Sequence, residues 1–346
     1  MKNPFVTNGY VSPEYFCDRE KETAKIVSLL TNENNIALIS PRRLGKTDLL
    51  RHCFGQPEIK EHYHTFIIDI YATSSVRDFV NVFGKAVLDE LRPKGKSVWG
   101  TFLNVLASLR SEITFDMNGQ PTWGIGLGAI TNPSATLDEI FSYLNNAGKP
   151  CLIAIDEFQQ ITKYADDPNI EAALRTHIQR CSNAHFVFSG SHRHLMGAMF
   201  TSPARPFYQS VTLINLPPIS VDKYAEFCLR HFERASKHLD TLVVTELYER
   251  FNGITSYMQK VMNILFSMTG TGEICIPSMI DTAINDLLDF SADTYDALLY
   301  QMPEKQRIVF MAIAAEGKAK AISSGDFVRK YKLQSASSVS SAVKGL

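Results

Sequence analysis

No stretch of this sequence approaches the roughly 20 consecutive apolar residues that a membrane-spanning helix requires. Its opening, MKNPFVTNGYVSPEYF, lacks the charged-then-apolar order of a secretory signal. A dominant charge of one sign is also missing. Lys and Arg number 35 against 36 Asp and Glu, a formal net charge of -1, which argues against a whole-molecule field for nucleic acid or membrane and leaves a local basic patch open. Cysteine is scarce and scattered: the six lie at 17, 53, 151, 181, 228 and 275, no two at Cys-x-x-Cys spacing. Several stand in apolar runs, where cysteine behaves as a small hydrophobe. A reduced, cytoplasmic compartment is the expectation. Fixed-period repeats and low-complexity tracts are absent as well. What remains is an ordinary globular composition, 45% hydrophobic and 21% charged over 346 residues, enough for two or three domains.

Short apolar runs rich in β-branched residues recur at 35–39, 64–70, 151–155, 185–188 and 211–214, separated by helical patterns. Runs of that length between long helical connections predict an α/β fold, with a mostly parallel five-stranded sheet covered by helices on both faces. Residues 113–126, ITFDMNGQPTWGIG, differ. Their Asn118-Gly119 pair suits a tight turn, so a two-stranded excursion is expected there. After LINLPPIS (213–220) strand signals stop, and a helical pattern runs from Val221 to about Phe290. Pro217 and Pro218 mark the boundary.

The stretch NIALISPRRLGKTDLL (35–50) carries the strongest chemistry. A phosphate-binding loop, G-x-x-x-x-G-K-[ST], follows a buried strand and opens a helix. Its backbone N–H groups wrap phosphates, its lysine meets the β and γ oxygens and its hydroxyl holds Mg²⁺. Here the strand, the loop Pro41, Arg42, Arg43, Leu44, Gly45, then Lys46, Thr47 and Asp48 follow in that order. Only the first glycine is missing. Ser40 replaces it, and serine can leave the strand provided φ stays negative.

Such a loop needs an acid at the end of a neighbouring strand. CLIAIDEFQQI (151–161) supplies Asp156, expected beside the metal with Thr47, and Glu157, expected to polarise the attacking water as general base. The alternative is an acidic pair capping the next helix. HFVFSGSHRHLM (185–196) ends a further strand, between loop and acid, at Ser189, whose hydroxyl is placed to reach the water or γ-phosphate. His192 and His194 have no third ligand at metal spacing and are expected on the surface.

Taken in order, SPRRLGKT, IAIDEFQQI, FSGSHRHLM and SPARPFYQS resemble the archaeal-type ATPases of the AAA+-like, signal-transducing (STAND) group. YFCDREKET (15–23) is similar to that family's Phe-x-x-Arg-Glu-x-Glu box at Phe16, Arg19, Glu20 and Glu22. The resemblance spans residues 16 to about 260. It implies a three-layer P-loop core over 1–217, a helical lid over 218–295 and a winged-helix-type unit over 296–346. It implies ATP and Mg²⁺ as ligands, Phe16 and Arg19 near the adenine, and Arg205 facing a phosphate. That arginine could act in its own chain or across a subunit boundary, which leaves a homo-oligomer open. In NGITSYMQ (252–259), Thr255 stands where the family's Gly-x-Pro-x-Tyr turn has proline.

Residues 301–346 carry eight Lys and Arg against three Asp and Glu, a local +5 (8 − 3). Three short helices are expected, opening near Pro303 and at the serines of SSGDFVRKYKL and SASSVSSAVKGL, with Val339, Val343 and Leu346 on one face. No hairpin wing is expected before Leu346. Such a unit suits duplex DNA or a protein partner equally. Three functions follow: a slow nucleotide-driven switch, a DNA-binding regulator with structural nucleotide, or a scaffold with a degenerate site. Intact Lys46, Thr47, Asp156 and Glu157 disfavour the last.

Overall fold

The computed structural model describes residues 2–91, 113–115, 121–123, 133–317 and 319–346. They form two compact units, Met1–Pro277 and Ser278–Leu346. In the first, the strands in chain order are β1 (Ile36–Ile39), β2 (His64–Asp69), β3 (Ile113–Phe115), β4 (Pro121–Trp123), β5 (Cys151–Asp156), β6 (Ala184–Gly190) and β7 (Thr212–Asn215). β2, β5, β6, β1 and β7 make one sheet in that order, every pair parallel. β3 and β4 pair antiparallel, Ile113 opposite Trp123. The Asn118-Gly119 turn and the glycines at 124–128 lie outside the described residues.

Alternation along the strands builds three layers. Ala37 and Ile39, Cys151, Ile153 and Ile155, and Phe186 and Phe188 enter one core with Phe79 and Phe83 of the helix Val76–Glu90. Ile36 and Leu38, Leu152 and Ala154, and Val187 enter the opposite core with Ile26, Leu30, Leu49 and Leu50 from the helices Glu20–Thr31 and Lys46–Phe54. Both faces of a strand are therefore apolar because both are covered, which is why these strands read as continuous hydrophobic runs.

Two expectations about strands need correction. The strand carrying Ser189 does lie between loop and acid, as expected, and for that reason the acid-bearing strand is not the immediate neighbour of the loop's strand: β6 sits between β1 and β5. Strands also recur after residue 220, as β8 (His238–Leu239) and β9 (Ile274–Cys275), paired parallel. Two-residue bridges are too short to carry a period.

The helices Val221–Arg234, Thr241–Phe251 and Thr255–Met268 follow the sheet. Phe227, Phe232 and Phe266 gather around Phe5, with ring centroids 6.0, 5.8 and 5.7 Å away. Asn3 and Asn263 fasten this N-terminal segment reciprocally, each side-chain amide donating 2.7 Å to backbone: Asn3 to Asn263 O, Asn263 to Phe5 O.

The second unit holds the helices Ile280–Gln301, Glu304–Glu316, Gly325–Lys330 and Ala336–Gly345. The helix Ile280–Gln301 runs unbroken through position 295/296. Ser324 and Ser335 cap the last two helices, accepting from Phe327 N and Ser338 N. The inward face of the last helix is Val339 and Ala342, packed on Val309. Val343 and Leu346, expected beside Val339, are exposed instead. Residues three apart share a helical face, and in a helix this short the partner helices choose which apolar stripe is covered.

All six cysteines are free and buried, and burial pushes the thiols of Cys17, Cys53 and Cys151 up to about 12 and Cys181 to about 11. A raised native pKa means the unfolded chain releases these protons first. Stability is therefore full below about pH 8.5 and falls as pH climbs toward the native values. The expected result is a melting temperature that declines steadily from pH 8.5 to 11, with six thiols reacting with a thiol reagent only in denaturant. Rapid native labelling would contradict the burial. Among the described residues no helix is long and apolar enough to cross a membrane.

Candidate active site

The loop leaves β1 at Ser40, whose side chain is fully buried and donates to Pro41 O at 3.0 Å. Ser40 is not left-handed. The left-handed turns fall at Arg43 (φ 70°) and Gly45 (φ 82°), which explains why serine is tolerated where glycine usually stands. Gly45 precedes the helix Lys46–Phe54, and a Cβ placed there would meet no atom within 4 Å. The space before the helix N-terminus is therefore open to a ligand. Arg43 keeps its strained turn through partners on the following helices. Its guanidinium lies 5.0 Å from the Tyr257 ring and donates to the Tyr257 hydroxyl, and its carbonyl accepts from Ser256 N at 3.2 Å.

Lys46 is 7% exposed, and its Nζ donates to Ser40 O at 3.2 Å and Pro41 O at 3.3 Å. Burial lowers its pKa, while Asp156 and Glu157 pull it upward. A desolvated ammonium capped only by carbonyls is a cation suited to an anionic ligand. Thr47 Oγ1 donates to Asp156 Oδ2 at 2.5 Å, across the intervening strand. Asp156 is 7% exposed and accepts from Glu157 N through Oδ1 at 3.0 Å.

Glu157 is left-handed, at φ 55°. The next residue fixes that conformation: Phe158 is fully buried, its ring 4.4 Å from Phe188 and 5.4 Å from Phe207. Strain of this kind persists only where the surroundings over-determine it. Ser191 Oγ donates to Glu157 Oε2 at 2.8 Å, and Arg42 Nε reaches Ser191 Oγ at 3.4 Å.

These groups line a cavity of about 630 Å³. It includes Arg42 through Asp48, Asp156 and Glu157 on one side, with Tyr10, Phe16, Arg19 and Thr255 on the other. Phe16 stacks on His52, centroids 4.4 Å apart and planes 19° apart. The Tyr10 hydroxyl is 3.0 Å from His52 Nδ1, and burial lowers the His52 pKa, favouring its neutral form. Asp48 lies at the rim, its carboxyl raised by burial and 3.6 Å from Arg51.

Other expected residues are placed differently. Arg19 lines the cavity but is 3% exposed, its guanidinium spent on Glu22 (2.8 Å) and Pro217 O (2.7 Å). Pro41 contributes its carbonyl to Lys46 and does not line the cavity. Ser189 is fully buried with an unpartnered hydroxyl and lies outside the lining. Ser191, two residues on, is the one that touches Glu157. Arg205 also lies outside the lining and pairs with Glu171. Asp69 was missed although its signal was present: HTFIID ends in an acid just as CLIAID does. In register it stands opposite Asp156, and both line the cavity. Tyr10 gave no such signal, since only the fold brings it to His52.

Compared with known families, residues 16–261 match the profile of an ATPase domain predominantly from Archaea. The chain belongs to this ATPase family. A second profile, for a winged helix domain, matches residues 293–346. No curated protein sequence matches the chain. Among solved structures, this archaeal-type ATPase is similar to the Walker-type ATPase paby2304 of Pyrococcus abyssi, at TM-score 0.59 and 17% identity, covering 99% of this chain and 88% of that one. The ORC2 protein of Aeropyrum pernix (ADPNP–ADP complexes) gives 0.59 and 14%, covering 100% and 89%. The Aeropyrum pernix ORC1 protein in complex with DNA gives 0.55 and 14%, covering 96% and 84%. At such identities the likeness is one of fold.

The residues present fit a Mg²⁺–triphosphate. Among the described residues no group of three His, Cys, Asp or Glu forms a protein-only metal site. Mg²⁺ held through one hydroxyl, a carboxylate and substrate phosphates needs none, and Thr47 and Asp156 offer a hydroxyl and a carboxylate in contact with each other.

Proposed function

We propose that this ATPase binds ATP with Mg²⁺ in the cavity, hydrolyses it slowly, and uses the cycle as a switch acting on its C-terminal winged helix region. The observation that carries this reading is the Thr47–Asp156 contact beside the open approach to Gly45. The helix N-terminus at Gly45 binds the phosphates, and Lys46 exchanges its two carbonyl partners for phosphate oxygens. Thr47 and Asp156 would hold Mg²⁺, which when bound would supply positive charge against the phosphates. Glu157 accepts the proton of the attacking water as its oxygen bonds to the γ-phosphorus and the β–γ bridging P–O bond breaks. Slow turnover is supported by Arg205. That guanidinium pairs with Glu171 and lies outside the cavity lining, so it is not placed to stabilise the transition state, a contribution worth about 10³–10⁵ in rate where it is supplied.

Phe16 and Tyr10 form the shelf for the base. Phe16→Ala is expected to weaken ATP binding about 5- to 100-fold, as loss of one base–aromatic stack does, with fluorescence titration as the measurement. Unchanged affinity would move the base elsewhere. The test of the whole reading is Mg²⁺-dependent phosphate release measured across protein concentration. Its absence in the wild-type chain, with ATP still bound, would favour the second reading.

That second reading is a nucleotide-binding, DNA-binding regulator with little or no hydrolysis. Ser337, Ser340, Ser341 and Lys344 are exposed on the last helix of a segment carrying a local +5, and the similar ORC1 structure is a complex with DNA. Duplex affinity falling steeply with salt and lost on deleting 301–346 would support it.

A further inference from the structure

We infer that Gln159 and Ser191 are positioning residues for the Glu157 carboxylate, a role that rests on the reading of Glu157 as general base. Gln159 lies two residues after Glu157, in the short turn Phe158–Lys163, and is 3% exposed. Its Nε2 donates to Glu157 Oε2, the oxygen that also accepts from Ser191 Oγ at 2.8 Å. Both side-chain donors converge on one oxygen, which leaves Oε1 as the atom to receive a proton.

The surroundings are shaped for this glutamine. Its other amide atom, Oε1, is buried without a partner, an arrangement that loses free energy and that packing alone would replace with an apolar side chain. A Cβ on Gly190, at the end of β6, would collide with Gln159 Oε1 and sit 2.6 Å from Met196 Sδ. Gly190 does not have a positive φ, so glycine is required there for space. One chain segment thus carries both the seat of Gln159 and, at the next residue, Ser191. Ser191 Oγ in turn accepts from Arg42 Nε at 3.4 Å. The base is thereby tied to the phosphate loop itself, so loop position and base position change together.

The experiment is steady-state turnover of the full chain with Mg-ATP, giving kcat and KM separately, beside fluorescence titration of ATP and a melting curve for each variant. Ser191→Ala is expected to lower kcat about 10- to 100-fold, the range for a misplaced reacting group, with KM for ATP unchanged and recovery in Ser191→Thr. Gln159→Leu removes the amide donor at similar volume and is expected to lower kcat over the same range, with KM for ATP unchanged. Gly190→Ala is expected to reproduce the kcat loss by displacing the amide. If Glu157→Gln abolishes turnover while folded Ser191→Ala and Gln159→Leu keep the wild-type kcat, the positioning role is wrong and the base stands. If Glu157→Gln turns over like wild type, the base reading fails and takes this inference with it.

Discussion

Glu157→Gln is expected to bind ATP as tightly as the wild-type chain and to hydrolyse it about 10²- to 10⁴-fold more slowly, the range over which a general base contributes. The amide keeps the shape of the side chain and its Oε can still accept from Ser191. In the proposed complex the phosphates lie on Gly45, Lys46 and Thr47, not on Glu157, so affinity is expected to survive while proton acceptance is not. The measurement is phosphate release in single turnover, with nucleotide affinity determined in parallel. Turnover undiminished in this variant would remove Glu157 from the chemistry. A parallel loss of affinity would show that the substitution had disturbed the pocket.

Lys46→Met separates binding from folding. The variant is expected to bind ATP at least about 100-fold more weakly, and so to lose the roughly 2.7 kcal/mol by which ligand at 100 times its Kd stabilises a native state. Its unliganded melting temperature should hold or rise. Burial lowers the Lys46 pKa, so the native state binds that proton less tightly than the unfolded chain does. Below both values the lysine therefore subtracts from stability, and the deficit is relieved only as pH rises through the native pKa. A side chain retained at such a loss is held for a ligand that repays the burial with negative charge. Should Lys46→Met melt early and still respond fully to ATP, the ammonium would be a structural group.

How far the sequence could be read varied with how local each feature is. The loop was legible because strand, glycine, lysine and threonine follow one another within fifteen residues, and the helix N-terminus they create is made by neighbours in the chain. Asp156 and Glu157 were legible for the same reason, as acids at the end of an apolar run. Ser191 was passed over for Ser189 because the two lie two residues apart, and alternation assigns both to one face; Ser189 is still inside β6 and fully buried, whereas Ser191 is the first residue beyond the strand's end, where it reaches Glu157. Tyr10 and Phe5 stand in a polar, helix-free opening segment. They become a base shelf and a packing anchor only when His52 and Phe266 are brought beside them.

The sequence by itself determined the α/β alternation, the phosphate loop and its acidic counterpart, since each is written in neighbouring residues whose backbone and burial preferences agree. Only the tertiary structure decided that Arg205 spends its charge on Glu171 and that Ser191 joins Gln159 on one oxygen of Glu157. The Arg205 and Ser191 pairings each join residues 34 positions apart in the chain. Their partners are chosen by which buried groups can satisfy one another once the sheet has formed, and no local pattern encodes that choice.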